Sequence, residues 1–367
     1  MDLLWRLRDH LNMAPLAGIA RLTADEHAGL ADTSPWAGRS AESEWLDWAL
    51  LTGGRRSINR IVALGCDRAT GQPRMVVKFP RVAESVPGMQ REARALALLD
   101  RPDREPLPGV PRLLFIRGEG RSIALGQSAV EGQPLLRWMR IAGYPATARL
   151  IADWLVGLAR DDGSREVGTV ALLTRPIVEA FEARFGAALP AEVLAQARTA
   201  VASLSNVPRA LEHRDLAPWN LRVTGAGHLG VLDWESAELN GICGPDLIYA
   251  LTYLSFAKFR VRTETAMAQS YRALRDPRSP SGSVFTATLG RYAGRVGLDM
   301  RSFPGIIALT WMIHARSEFA RLAADVGGTP PVDRLRDSLF IKLLREELEA
   351  GTPLRPEVES NAHPVPD

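Results

Sequence analysis

Cysteine and lysine are the scarce residues of this 367-residue chain. Its two cysteines, Cys66 and Cys243, lie far apart and form no C-x-x-C pair. They leave no basis for a disulfide framework or a cysteine-built zinc site, and a reducing cytoplasm is the expected home. Lysine occurs only at Lys78, Lys258 and Lys342, so arginine supplies the remaining 42 of 45 basic residues, a skew that fits a GC-rich bacterial genome. The formal net charge is only +3 with no basic run, so no nucleic-acid partner is expected. No apolar stretch approaches the roughly 20 residues that span a bilayer. The N-terminus, MDLLWRLRDHLNMAPL, mixes arginine and aspartate with its leucines and lacks the apolar core of a secretion signal. Leu4, Leu7 and Leu11 recur there at helical spacing beside Trp5, which suits a helix docked on its own protein or lying on a membrane surface.

What is present is enough apolar material, 46% of the residues, for one large or two moderate cores. Residues 1–45 read as a helical extension ending in a polar, Pro-containing linker. From there to residue 131 the pattern is strand-rich. DWALL, INRIVALGC and RMVVKF alternate with Gly-containing turns, residues 84–100 have helical periodicity, and PRLLFIRGEGRSIALGQS reads as a hairpin turning at Gly118 to Gly120. Residues 132–350 read as mainly helical, interrupted once by two short strands around 221–233. The tail, 351–367, has proline and charge without periodicity and is expected to be disordered.

The informative segment is LEHRDLAPWNLRVTGAGHLGVLDWE, residues 211–235. His213, Asp215 and Asn220 form an H-x-D-x-x-x-x-N loop, and Asp233 ends the second of the two short strands. A hairpin turning at TGAGH would bring Asn220, just before one strand, near Asp233, just after its partner. One amide oxygen and one carboxylate so placed suit magnesium held on nucleotide phosphates. Any one of these residues could merely cap a turn; the set at this spacing is what carries the signal.

HRDLAPWN and LDWE, followed by Gly241, Asp246 and Leu247, resemble the aminoglycoside phosphotransferase and choline kinase family, relatives of the protein kinases. The resemblance extends weakly from about residue 46 to 330. It implies an α+β, two-lobed protein-kinase-like fold: a small antiparallel β lobe with one helix, residues 46–131, and a larger, mainly helical catalytic and substrate lobe, residues 132–350. It implies Asp215 as the residue that orients or deprotonates an acceptor hydroxyl, with Asn220 and Asp233 binding Mg2+ and Glu235 a lesser candidate. His213 is read as a structural hydrogen-bonding residue.

Upstream, Lys78 lies in a β-branched run on the third strand of the small lobe, where a kinase needs a cation for the α- and β-phosphates. A lysine on an apolar strand requires a carboxylate partner. Glu92 shares a helix face with Leu96 and Leu99 and is the expected one, with Glu84 as the fallback. Gly53, Gly54, Ser57 and Asn59 are candidates for the phosphate loop, although the segment has no G-x-G-x-x-G. Backbone groups around Ser128 and Val130 are expected to meet adenine. Arg214 stands where the family usually has glycine. It also follows the protein-kinase pattern, but Asp246 follows Asp233 by only thirteen positions, too few for a peptide-docking activation segment, so a local ion pair is expected. The expected activity is ATP-dependent transfer to a hydroxyl of a small molecule, with a nucleotide-binding pseudokinase scaffold and a protein kinase as alternatives. Acceptor, oligomeric state and the choice between ATP and GTP are not legible.

Overall fold

The computed structural model describes residues 19–22, 46–51, 60–100, 106–161 and 170–350. The expected N-terminal helix, the phosphate-loop residues Gly53, Gly54, Ser57 and Asn59, and the tail lie outside the described residues. Those described group into two compact units, one drawn from residues 1–165 and 209–242, the other from 166–208 and 243–367.

The first unit contains every strand among the described residues. Its main sheet is formed by β1 (Ile19–Leu22), β2 (Leu46–Leu51), β3 (Ile61–Asp67), β4 (Pro73–Phe79), β5 (Leu113–Arg117) and β6 (Ala124–Ser128), in the order β1-β2-β3-β4-β6-β5 with antiparallel pairing throughout. The three strands and the hairpin anticipated from hydrophobic alternation are all present. β1 was not anticipated. It falls within the stretch read as a helical extension and instead pairs with β2 from Ile19↔Leu51 to Leu22↔Trp48. An edge strand offers a row of unpaired N–H and C=O groups, which an extended segment can satisfy, and the helical spacing of Leu4, Leu7 and Leu11 does not reach residues 19–22.

Helix α1 (Val86–Leu99) begins with a proline in its first turn, where a missing N–H costs nothing, and buries Met89, Glu92, Ala93, Leu96 and Leu99 along one face. Met89 and Ala93 pack against Leu125 of β6 and Ile123 just before it. Fully burying side chains such as Met89 and Leu96 stabilises by about 1.5–3 kcal/mol each. Glu92 is the single charged member of that face, fully buried, so its position requires a cation from the sheet.

The chain continues through β7 (Gln133–Pro134), α2 (Leu135–Ala142) and α3 (Tyr144–Asp161), and after residue 208 returns as β8 (Arg209–Glu212), β9 (Leu221–Val223), β10 (Leu229–Val231) and β11 (Glu238–Ile242). β9 and β10 are the anticipated hairpin, with β7 on the outer side of β9. β8 and β11 form a second antiparallel pair that sequence periodicity did not reveal, because RALE and ELNGI are short and polar. Their pairing is held by the buried Glu212, whose carboxylate accepts the Ile242 N–H at 2.7 Å.

The second unit is helical throughout its described residues: α4 (Val170–Phe185), α5 (Ala191–Ala202), α6 (Pro245–Lys258), α7 (Glu264–Arg275), α8 (Pro280–Val296), α9 (Phe303–Val326), α10 (Val332–Arg336) and α11 (Leu339–Ala350). α6 and the first half of α9 are buried all round, as helices through the middle of a core must be. Among the described residues no helix is long and apolar enough to cross a membrane. The architecture is the expected α+β class, a small antiparallel sheet with one helix packed on it and a larger helical part.

Candidate functional site

The first unit gathers the charged residues singled out above. Lys78, near the end of β4, faces α1 and places Nζ 2.7 Å from Glu92 Oε1 and 2.9 Å from Oε2. The same ammonium donates to Asp233 Oδ1 at 2.9 Å. Glu84, the fallback partner, is exposed and takes no part. Burial alone would lower the Lys78 pKa, but the carboxylates of Asp233 and Glu92 outweigh it, so the ammonium is held above its ordinary value. Burial works against the Asp233 carboxylate, yet Lys78 and Arg60 hold its pKa below the ordinary carboxylate range. Both groups are therefore charged at neutral pH.

Asp233 adopts φ 66°, ψ 68°, a left-handed conformation unusual for a residue with a side chain. Such strain persists only where surrounding contacts over-determine it. Here the Trp234 N–H donates to Glu92 Oε1 at 3.4 Å, and the Trp234 indole N–H donates to the Val231 carbonyl at 3.2 Å. The β9–β10 register pairs Leu221 with Val231, and the Leu232 N–H donates to the Asn220 carbonyl at 2.9 Å. The hairpin thus draws Asn220 and Asp233 to the same end, as its length predicts.

His213 ties the loop to that end. Its Nε2–H donates to the Leu232 carbonyl at 2.9 Å, and its Nδ1 accepts the Asp215 N–H at 3.2 Å. Burial lowers its pKa to about 4, with the Leu232 carbonyl opposing the shift only in part, so the ring is neutral and its tautomer is set by these two bonds. Asn220 Nδ2 donates at 2.9 Å both to the Asp215 carbonyl and to Asp215 Oδ2. That grip turns the amide so that its Oδ1 accepts nothing from the described residues, and Asp233 Oδ2 likewise accepts nothing from them. One carboxylate oxygen and one amide oxygen suit magnesium, which uses few protein ligands and completes its shell from phosphates and water. No group of three or more His, Cys, Asp or Glu side chains forms a self-sufficient metal cage among the described residues.

The connector after β6 is partly committed to the protein. The Ser128 N–H donates to the Arg112 carbonyl at 2.9 Å, its Oγ accepts the Arg112 N–H at 2.8 Å, and the Ala129 N–H donates to the Arg74 carbonyl at 2.9 Å. The Val130 N–H has no acceptor among the described residues.

A model of the phosphotransferase enzyme family matches residues 55–282, well over half of the chain. The chain belongs to that family. The match spans Lys78, Glu92, Asp215, Asn220 and Asp233. No curated protein matches the chain in sequence. Among solved structures, this phosphotransferase is similar to choline kinase LicA from Streptococcus pneumoniae, at 15% identity and TM-score 0.49 over 82% of this chain and 94% of that one. It is also similar to aminoglycoside phosphotransferase APH(3'')-Id from Streptomyces rimosus, at 18% identity and TM-score 0.43 over 79% and 99%.

Three features of the site were not singled out in the sequence. Arg60 reaches Asp233 Oδ1 at 3.4 Å and forms a close ion pair with Glu235. Arg91 Nε donates to the Glu235 carbonyl at 2.9 Å. Trp234 is fully buried with its ring edge-on to His213 at 4.7 Å. An arginine in an arginine-rich chain gives no signal of its own; only the buried carboxylates it meets mark it. Arg214 behaves as its context predicts: with φ 59° it pairs locally with Glu212 at 3.0 Å and Glu238 at 3.4 Å.

Proposed function

We propose that this protein transfers the γ-phosphoryl group of ATP to a hydroxyl of a small molecule. The observation that carries this reading is the Lys78 ammonium shared between Glu92 and Asp233, beside an Asn220 amide fixed on Asp215. In this reading Lys78, held by Glu92, neutralises the α- and β-phosphates, and Asn220 and Asp233 hold Mg2+. Held by Asn220 and Asp233, Mg2+ would supply positive charge that offsets the charge of the nucleotide phosphates. Asp215 orients the acceptor hydroxyl and receives its proton, while the His213 ring, accepting the Asp215 N–H, keeps that residue's backbone in place. Gly53, Gly54 and Ser57 are assigned to the phosphate loop, and the Ser128 carbonyl and Val130 N–H to the adenine edge. Residues 46–131 then act as the nucleotide-binding lobe, residues 132–350 as the catalytic and substrate lobe, in a cytoplasmic protein.

The acceptor proposed is sugar-like or an amino alcohol, neutral or anionic in preference to polycationic. Residues 255–320 carry ten basic and four acidic residues. Arg272 and Arg275 pair with Glu346 and Glu347 of α11 and Glu264 pairs with Lys342 of the same helix, which lowers the excess from six to five. The remaining positive field still disfavours a polycation. The test is nucleotide consumption measured over sugars, amino alcohols, aminoglycosides, nucleosides and generic proteins, with ATP and GTP in parallel and product mass read for a phosphate ester. A phosphorylated small hydroxyl compound is the expected product. Nucleotide binding without turnover of any acceptor would favour the scaffold, and turnover of proteins alone would favour a protein kinase. Salt-sensitive micromolar binding of kanamycin would overturn the charge preference.

A further inference from the structure

Arg60, immediately before β3, has no task in the reading above. Its side chain is only 9% exposed, yet it ends on carboxylates: Nη1 lies 3.4 Å from Asp233 Oδ1, and Nη2 pairs with Glu235. Its Nε is buried and has no acceptor among the described residues. Space for the guanidinium is made by Gly88 of α1, where a Cβ would stand 2.7 Å from Arg60 Nη2. Glycine weakens a helix, so α1 carries a poor helix former at the point where Arg60 crosses it. Lys78 also reaches Asp233 Oδ1, at 2.9 Å, but among the described residues only Arg60 spans from Asp233 to the Glu235 carboxylate.

At Glu235 the guanidinium and a divalent cation compete for the carboxylate directly, and at Asp233, where Arg60 is on Oδ1 and Oδ2 is open, its charge opposes a second cation. Arg60 is attached to the chain, so its effective concentration at Asp233 and Glu235 exceeds that of free metal. Phosphate is the group able to draw it off, since arginine binds phosphate through paired N–H donors and the Nε donor is uncommitted. We propose that Arg60 is a tethered counter-ion that occupies the Asp233–Glu235 pair until nucleotide phosphates engage it, so that divalent metal enters with the nucleotide and not alone. The proposal rests on the site being a nucleotide site. It makes Arg60 sense both phosphate and metal.

The test uses the full chain with Arg60→Met, which keeps the length of the stem and removes the charge, and Arg60→Lys, which keeps the charge. Mn2+ binding is followed by electron paramagnetic resonance without nucleotide, and ADP binding by calorimetry in EDTA. Arg60→Met is expected to tighten Mn2+ binding about tenfold, because a unit charge a few ångströms away is removed. It should weaken metal-free ADP binding by about tenfold, since a charge-assisted contact is lost. Arg60→Lys should fall between the two. Should Arg60→Met fail to fold, Glu235→Gln asks the same question from the other side: by releasing Arg60 it should tighten metal-free ADP binding. Unchanged or weaker Mn2+ binding by Arg60→Met, or unchanged or weaker ADP binding by Glu235→Gln, overturns the role of Arg60. If the wild type binds neither ADP nor ATP, the nucleotide reading itself fails, and metal entry with nucleotide fails with it. The Mn2+ comparison involves no nucleotide, so the two failures are told apart.

Discussion

Each compact unit contains a buried ion cluster built from one long cation and a glutamate, and the two clusters end differently. In the helical unit Arg275 forks onto Glu347 at 2.6 and 2.8 Å, Glu347 accepts the Tyr271 hydroxyl at 3.3 Å, and that hydroxyl accepts the Trp311 indole N–H at 3.0 Å. Burial, reinforced by Glu347, pushes the Tyr271 pKa well up, so the phenol stays a neutral donor. Within this cluster only Arg275 Nη1 lacks a partner among the described residues. In the strand-bearing unit Lys78 grips Glu92 just as closely, but the network runs on to Asp233, whose side chain is 35% exposed and whose Oδ2 takes nothing from the described residues. Stabilising a fold calls for a closed network; binding a charged ligand calls for one with an open end. The difference predicts opposite consequences of mutation.

The largest effect is expected at the open site. Asp215→Ala should lower kcat by about 10²- to 10⁴-fold while nucleotide affinity and melting temperature change little, since the residue faces the acceptor in the proposed reaction and Asn220 keeps its bond to the main-chain carbonyl at 215. Retention of more than about half of the wild-type kcat would remove Asp215 from the chemistry. Glu347→Ala should do the reverse. Stranding Arg275 without its carboxylate should cost about 3–5 kcal/mol of stability, read from denaturant unfolding, with ADP affinity unchanged in the folded fraction. A loss below about 1 kcal/mol would mean that the closed cluster does not hold the helical unit together.

A smaller effect sharpens the comparison within the open site. Lys78→Ala and Glu92→Ala should each lower kcat/KM by about tenfold or more, and the double variant should fall within about threefold of the worse single one, because residues acting as a unit are not additive. Full additivity would break the pair as a functional unit, whatever its geometry.

How much of this was legible follows from which signals are local. Strand alternation announced β2, β3, β4 and the β5–β6 hairpin, and Glu92 on an apolar helix face announced its partner, because a carboxylate among leucines is explicable only by a buried cation. The β9–β10 hairpin placed Asn220 and Asp233 by chain length alone. Contacts between segments distant in sequence left no trace. β8 and β11 are short and polar, and their pairing depends on Glu212 reaching Ile242. β1 follows from an edge that exists only once β2 is in the sheet. Arg60 meets Asp233 across 173 positions, and nothing in its neighbours distinguishes it from the other arginines.

The smallest predicted effect asks whether acid reaches the open site through His213. Its pKa is about 4 in the folded protein, lowered chiefly by burial, against about 6.5 when unfolded. Above about pH 6.5 both states are neutral, and the ring contributes its full stabilisation. As pH falls below that value the unfolded chain takes up a proton that the folded one refuses, so stability declines down to the folded pKa. Between about pH 7 and pH 5 the expected loss is about 2 kcal/mol, since each tenfold difference in proton affinity between the two states contributes about 1.4 kcal/mol. The folded site resists for an identifiable reason. Nδ1 already accepts the Asp215 N–H, so a second proton there would face a donor, and burial of the charged ring outweighs the Leu232 carbonyl and the Asp233 carboxylate that favour it. His213→Gln removes the titrating ring and should flatten the dependence over this window, though its absolute stability falls with the lost contact to Trp234. Denaturant unfolding of both proteins at several pH values measures the two slopes. Equal slopes would show that acid sensitivity in this range originates elsewhere and that His213 does not couple protonation to the placement of Asp215.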